Sequence, residues 1–383
     1  MDGTNLFVFK YQERTMIKAI SKFTTLILFL GLCSLGFSSC DNDTGEMMTP
    51  GFDRAGLLSS IGNELIIPNF TALQSSVDDM ARAAEAFVQM STEEKLLTLR
   101  QAWEQAVVDH QHCSAFGFGP ANLLLGPYAE VLGVFPVNEV EVEQNLLNPN
   151  FDLANSFDRD IRGFYTIEYL IFGDGVSNAD LIAGFDQNRK DYLILIIGEL
   201  ESTFDNIVTE WTNGYLQSFI ENDGTAAGSS ISLLYNSFVK DYENLKNFKV
   251  ELPAGLSAGQ SGPDGQLVEA LYSGISSDLI EAHFASSKNI WQGMSRNDEV
   301  IIGFDDYLNA VVGGLELVTQ TETAIQDIDQ VIADLPRGRL SEQVDNSILG
   351  DLRDQLQANT ANFKSSMSSL LGISITFNSG DGD

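Results

Sequence analysis

The segment Asp158-Arg159-Asp160-Ile161-Arg162-Gly163-Phe164-Tyr165-Thr166-Ile167-Glu168-Tyr169-Leu170-Ile171-Phe172 sets one carboxylate among apolar neighbours. Read as a helix at about 100° per residue, it has a polar face of Asp158, Arg159, Arg162 and Thr166. Ile161, Phe164, Tyr165, Glu168 and Phe172 fall on the other side. A carboxylate on that stripe must be neutral, hydrogen-bonded, paired or bound to a cation, because a bare buried charge costs several kcal/mol or more. Tyr165, three residues before Glu168, shares its face. Gly163, which costs about 1 kcal/mol against Ala inside a helix, signals the close approach of another element. Two readings of Glu168 stand side by side: a ligand for an ion or polar molecule, or a buried anchor for a backbone end or an Arg.

A second inward polar group is His110. Leu96, Leu99, Trp103, Ala106, Val107 and His110 follow one helical stripe, which Cys113 and Ser114 continue. Asp109 and His112 fall toward the outer side. Asp109-His110-x-His112 has the residue types of a metal site, but positions i and i+2 do not share a helix face. His110 is therefore a satisfied core histidine or a lone ligand, and Cys113 a small buried hydrophobe. The candidate site joins Tyr165 and Glu168 to His110 and Trp103. Glu168 is its anionic ligand, and the metal ligand if a cation binds. Tyr165 is a donor or a ligand to a hard trivalent ion, and Trp103 is a wall.

The elements that must position these residues read as helices. Apolar residues recur at spacings of three and four from Ala55 to Met90, with Pro68 expected to break or kink the run. Ser91-Thr92-Glu93-Glu94 reads as a capping box opening a helix to about Ala115. Phe116–Val137, rich in Gly and Pro, is an irregular connection. Further helices are expected over Glu139–Leu147, Phe157–Phe172, Asn178–Asn213 and Ser229–Phe248. After a Gly/Pro/Ser-rich loop at Val250–Gln266 they cover Leu267–Tyr272, Ser277–Trp291, Gly303–Thr319, Thr323–Leu335 and Ser341–Leu371. Little period-2 alternation occurs, so the body is all-α, with two antiparallel helical-bundle halves, 52–225 and 226–383, packed together.

The first residues read as an address. Lys18 and Lys22 precede an apolar run from Phe23 to Phe37, about 15 residues, short of the ~20 a membrane span needs. Phe37-Ser38-Ser39-Cys40 resembles a bacterial lipobox, with Phe37 in place of the usual Leu. Residues 1–39 are then a signal peptide starting at Met1 or Met16, Cys40 carries lipid, and 40–51 is a tether. Acidic residues just after Cys40 resemble the surface-export signal of some lipoproteins, and the body faces either the periplasm or the surface.

The chain has 383 residues, with 21 Lys+Arg against 54 Asp+Glu and a net charge of −33. Long-range repulsion argues against nucleic acid or an anionic membrane surface as partner. With 24 Phe and 10 Tyr it is not a disordered acidic tail. There is no His-Glu-x-x-His motif, and three His leave little for a zinc site with a catalytic water. No phosphate loop and no nucleophile elbow is present.

Gly163 through Gly173 resembles the signature helix of the imelysin-like family, Gly-x-His-x-x-Glu followed by an apolar run and Gly. Asn63-Glu64-Leu65-Ile66-Ile67-Pro68-Asn69-Phe70 resembles that family's first helix. Trp103 followed by Phe116-Gly117-Phe118-Gly119-Pro120 resembles its Trp helix and turn, and Phe135-Pro136-Val137-Asn138 its Trp-Pro-Val-Asp turn. Arg189–Trp211 resembles its long helix. The resemblance implies an all-α fold of two bundles with a site near their interface, export, often lipidation, and an association with iron uptake. Some members are classed as metallopeptidases. Glu168 and Gly163 fall on the family's Glu and Gly, but Tyr165 stands at its His. Val107 and Cys113 or Ser114 stand where the Trp helix usually carries an Arg and a Glu. A phenol with a pKa near 10 is a poor ligand unless the metal is ferric or similarly acidic.

The resulting expectation is an envelope lipoprotein, held to the membrane through Cys40, that binds iron, another metal ion or an envelope protein. The alternatives are a partner-binding scaffold with a vestigial site and, further off, a metallopeptidase whose ligands and general base are incomplete.

Overall fold

The computed structural model describes residues 51–147, 153 and 157–377. The expected signal peptide, Cys40 and the expected tether up to residue 50 lie outside the described residues. The described body is all-α apart from two-residue strands at Asn122–Leu123 and Gly126–Pro127, which form one antiparallel hairpin.

The first helical rod comprises α1 (Arg54–Ile61), a π-turn over Gly62–Ile66 and α2 (Ile67–Gln89). Pro68 neither breaks nor ends it. The proline lacks the N–H of an i→i−4 bond, and the π-turn just before it widens the ladder there. α3 (Glu93–Gln111) is capped by the Thr92 hydroxyl, which accepts from Lys95 N, and not by Ser91. The Phe116–Val137 connection holds the hairpin and the short α4 (Tyr128–Leu132). α5 (Glu139–Leu146) follows.

The signature helix α6 spans Gly163–Phe172 and does not begin at Phe157. Gly163 has φ +75°, and a Cβ there would lie 2.0 Å from the Leu132 carbonyl oxygen. The close approach inferred from its sequence is real, and it also delays the helix start. The predicted polar face therefore dissolves. Arg162 precedes the helix and is buried, pairing with Glu199 at 2.7 Å, and Thr166 is buried as well.

α7 (Asn178–Ala183), α8 (Gln187–Glu210) and α9 (Leu216–Glu221) complete the first part. The expected division at 225/226 falls in the loop between α9 and α10 (Ser230–Asn244). α10 continues into a π-turn over Leu245–Glu251. Leu267–Tyr272, expected to be helical, starts at the end of a 3-10 turn over Gly265–Leu267 and continues as a run of turns in which Ala270 has φ +54°. α11 (Ser276–Gln292) is followed by α12 (Phe304–Asn309) and α13 (Gly314–Ala333), which a turn separates where one helix was expected. α14 (Ser347–Ala361), a π-turn over Asn362–Met367 and α15 (Ser368–Leu371) close the body.

α2 packs against α3 and α8, and α6 packs against α3, α4 and α8, so the signature helix is enclosed. From Phe52 onward the chain is one compact unit, and a single apolar core runs on both sides of the 225/226 loop.

Gly163→Ala should lower stability by more than about 2 kcal/mol, since strain at positive φ adds to the clash with Leu132. Gly198→Ala, inside α8 where a Cβ meets nothing within 4 Å, should instead gain up to about 1 kcal/mol. Urea midpoints check both. Equal midpoints for the two variants would mean that α6 does not depend on its contact with Leu132.

Candidate functional site

α6 opens on Gly163 and ends at Gly173, and nearly every residue between is buried because three helices surround it. Trp103 of α3 donates from Nε1 to the Phe164 carbonyl at 2.8 Å and meets the Phe172 ring edge-on at 5.4 Å. It is a strut between α3 and α6, not the wall of a pocket.

Glu168 is 1% exposed. Its Oε1 accepts from the backbone N–H of Tyr272 at 3.0 Å and of Ser273 at 2.7 Å. The carboxyl group thus holds the turn that the sequence had suggested was a helix. Of its two sequence readings, the structure displays the backbone anchor. Burial pushes its pKa up to about 7; the bonds from Ser273 and Tyr272 oppose this, and the nearby Glu269 adds to it.

Tyr165, 1% exposed, donates its hydroxyl to Glu269 Oε1. Burial, and then Glu269, drive the phenol well above its ordinary pKa, so it remains a proton donor at any physiological pH. Gln111 Nε2 donates to the same Glu269 oxygen at 3.1 Å. Lys249 Nζ lies 2.9 Å from Glu269 Oε2 and donates to Gln111 Oε1. The result is a closed, buried ring of Tyr165, Glu269, Lys249 and Gln111 with one charge of each sign.

A cavity of about 420 Å³ opens beside this ring, bordered among others by His110, Gln111, Lys249, Glu269, Asp241 and His283. Of the four sequence-predicted residues only His110 borders it; Tyr165, Glu168 and Trp103 do not. The His110 ring stacks on Phe164 at 4.8 Å and meets Tyr128 edge-on at 5.5 Å. Burial, helped by Lys249 and His283, pushes its pKa down to about 3, so it is neutral at pH 7. Its Nδ1 is buried without a hydrogen-bond partner. Across the cavity, Asp241 Oδ2 is 2.8 Å from His283 Nε2 and accepts from Ser114 Oγ at 2.9 Å. The serine donates to the carboxylate and not to an imidazole, so this trio lacks the order of a nucleophilic triad. Asp109, expected on the outside, is 4% exposed and pairs with Arg296 at 2.6 Å.

These donors do not fit a metal ion. Glu168 is bound to backbone, Tyr165 keeps its proton, and an ammonium already lies against Glu269. Among the described residues no group of three or more His, Cys, Asp or Glu could hold one.

The sequence reading missed Gln111, Asp241, Lys249, Glu269 and His283. Asp241 and His283 carry the same signal that revealed Glu168. Asp241 lies on the stripe Leu234, Phe238, Tyr242, Leu245, and His283 on Leu279, Ile280, Phe284. Glu269 sits in a turn and has no periodicity to betray it.

A family model described as Imelysin, of the Peptidase_M75 group, matches residues 66–366. Two solved structures share the fold. One is an imelysin-like protein from Psychrobacter arcticum 273-4, 19% identical, with a TM-score of 0.68 over 85% of this chain and 97% of that one. The other, from Parabacteroides distasonis ATCC 8503, is described as a proposed iron-regulated protein A precursor. It is 16% identical, with a TM-score of 0.70 over the same shares of the two chains. No curated protein matches the chain.

A carboxyl group with a raised pKa keeps a proton in the folded chain that the unfolded chain releases. Its contribution is full below about pH 4.5 and is lost as pH rises through about 7. Glu168→Gln keeps an acceptor for Tyr272 and Ser273 but does not titrate. Relative to wild type, the variant should therefore gain up to about 3 kcal/mol between pH 4.5 and pH 7 and hold that gain above it. Denaturant titrations at several pH values read this difference. A difference constant across the range would show Glu168 ionised throughout.

Proposed function

The chain belongs to the imelysin family, and from that premise we propose that it is an exported lipoprotein, anchored through Cys40, that binds a polar ligand at the cell envelope without catalysis, in an iron-related role. The export reading draws on the basic residues, short apolar run and lipobox-like Phe37-Ser38-Ser39-Cys40. No helix of the described residues is long and apolar enough to cross a membrane. The iron-related role draws on the family and on the name of the Parabacteroides protein.

The observation that carries the non-catalytic reading is the ion pair between Lys249 and Glu269. A metallopeptidase needs a Lewis-acidic cation with an open position for water. Here the cation beside the acid is an ammonium, which polarises no water and cannot leave the chain. A binding site asks less. The cavity offers buried neutral imidazole at His110, amide at Gln111 and the paired charges of Lys249 and Glu269, fixed polar groups at the inner end of a half-open recess.

Titration of the full chain with ferric and divalent ions should show no saturable uptake, in wild type and in Glu168→Gln alike. An unfolded protein substrate should survive, with or without chelator. Stoichiometric uptake that Glu168→Gln abolishes would overturn this reading and restore the metal site. For the anchor, intact mass should show lipid on Cys40, and Cys40→Ala should move the protein from the membrane to the soluble fraction. A Cys40→Ala protein that stays with the membrane would refute lipid attachment at that residue.

A further inference from the structure

Val312 is 98% exposed, Leu315 65% and Leu370 39%. Leu315 stands in the first turn of α13, and Val312 on the turn between α12 and α13. Leu370, in α15, reaches it: Leu370 Cδ2 lies 4.0 Å from where a Cβ would sit at Gly313. The turn is firmly built. Val311 N donates to Leu308 O and Gly314 N to Val311 O. A Cβ at Gly314 would lie 1.8 Å from the Leu308 carbonyl oxygen, so the chain reverses there only with glycine. Large apolar side chains held outward on a turn that satisfies part of its own backbone suit a medium poorer in water than the bulk.

The place of this knuckle identifies the medium. Phe52, where the compact unit begins, stacks on Tyr307 of α12 with ring centroids 4.4 Å apart and planes 11° from parallel. Val312 follows Tyr307 by five residues, at most about 18 Å of chain. Cys40 precedes Phe52 by twelve, at most about 40 Å fully extended. A lipid on Cys40 therefore keeps this corner of the body within reach of the bilayer surface. Charge narrows the choice further. No Lys or Arg occurs from Asn297 to Pro336, while Asp305, Asp306 and Glu316 flank the knuckle. Anionic headgroups would be repelled, so contact must come from apolar insertion among zwitterionic lipids.

We propose that the Val311–Leu315 knuckle, with Leu370 beside it, is a membrane-docking surface that enters the interface of the bilayer carrying the Cys40 lipid and so fixes the orientation of the body. The inference rests on the lipoprotein reading. A single attachment point at Cys40 leaves the orientation of the body unset, and a second contact beside the point of entry sets it. Entry of two apolar side chains and the edge of a third is shallow, of the depth at which interfacial segments lie, roughly 5–10 Å.

The test uses the full lipidated chain carrying Val312→Cys, labelled with an environment-sensitive fluorophore. Cys113 is fully buried and does not compete for the label. The protein is bound to phosphatidylcholine vesicles containing lipid spin-labelled near the headgroup. The expected result is quenching at least threefold stronger than in a Val312→Cys, Leu315→Asp background, unchanged when salt rises from low to physiological. Both substitutions lie on the surface, so equal melting temperatures establish that the two proteins are folded. Vesicle-bound, lipid-bearing protein quenched no more than the Leu315→Asp background overturns the docking surface while leaving the anchor in place. Intact mass without lipid overturns the anchor instead, and quenching with an unlipidated chain that also carries Cys33→Ser and Cys40→Ser, so that Val312→Cys alone takes the label, then decides the knuckle. Quenching that requires anionic lipid and vanishes with salt also overturns the proposal, because it signals headgroup attraction and not insertion.

Discussion

A carboxylate taken out of water must find its compensation inside the fold, and in this chain four of them do so where α3 and α6 meet the second part of the molecule. Glu168 takes two backbone N–H groups from the 272–273 turn. Glu269 takes Lys249, Tyr165 and Gln111. Asp241 takes His283 and Ser114, and Asp109 takes Arg296. Most of these bonds join residues more than a hundred positions apart. Apolar packing alone tolerates small shifts of one helix along another. A shift that separated one of the ion pairs would strand a charge, at a cost of about 3–5 kcal/mol for a broken buried pair, and one that drew Glu168 from its turn would leave buried N–H groups without an acceptor. The polar groups therefore select one register among many that bury similar apolar area.

That division of labour explains what the sequence disclosed. Helical periodicity is local, so the all-α class, the rods around α2, α3 and α8, and the inward stripe from Leu96 through Trp103 to His110 were legible. Glu168 was legible because a carboxylate on an apolar stripe is a local contradiction. Periodicity alone extends its helix back to Phe157, whereas the helix starts at Gly163. The Leu132 carbonyl, thirty-one residues upstream, decides where α6 opens. Tertiary contact likewise undid the expected helix at Leu267–Tyr272: the turn there exists because Glu168 satisfies its N–H groups. Lys249 and Glu269 were invisible as a pair, since nothing near either residue names the other. The site was half legible for this reason, its local members readable and its partners not.

Tyrosine at position 165 makes sense in the same terms. A neutral imidazole offers a lone pair to a metal, whereas a buried phenol with a raised pKa offers a proton. The group facing Tyr165 is a carboxylate, which wants a proton donor, and the cation that balances it is supplied by Lys249. Phenol, carboxylate, ammonium and amide together close a ring in which each charge and donor is matched. Introducing a metal would require displacing the ammonium into an apolar interior or extracting the phenol's proton, and both run against burial.

The distribution of charge carries this argument to the whole chain. With 54 acidic and 21 basic residues, cations are scarce. Yet Arg162, Lys246 and Lys249 are all buried. On the surface each would oppose one of many exposed carboxylates, in a medium where salt screens the interaction beyond about 8 Å and an exposed pair contributes at most about 1 kcal/mol. Inside, the same charge answers a group that has no water: Arg162 the Glu199 carboxylate, Lys249 the Glu269 carboxylate. A chain with so few positive charges keeps its fold by placing some of them where the dielectric is low. The scarce cations thus serve the interior, and most of the acidic residues are left to be solvated at the surface.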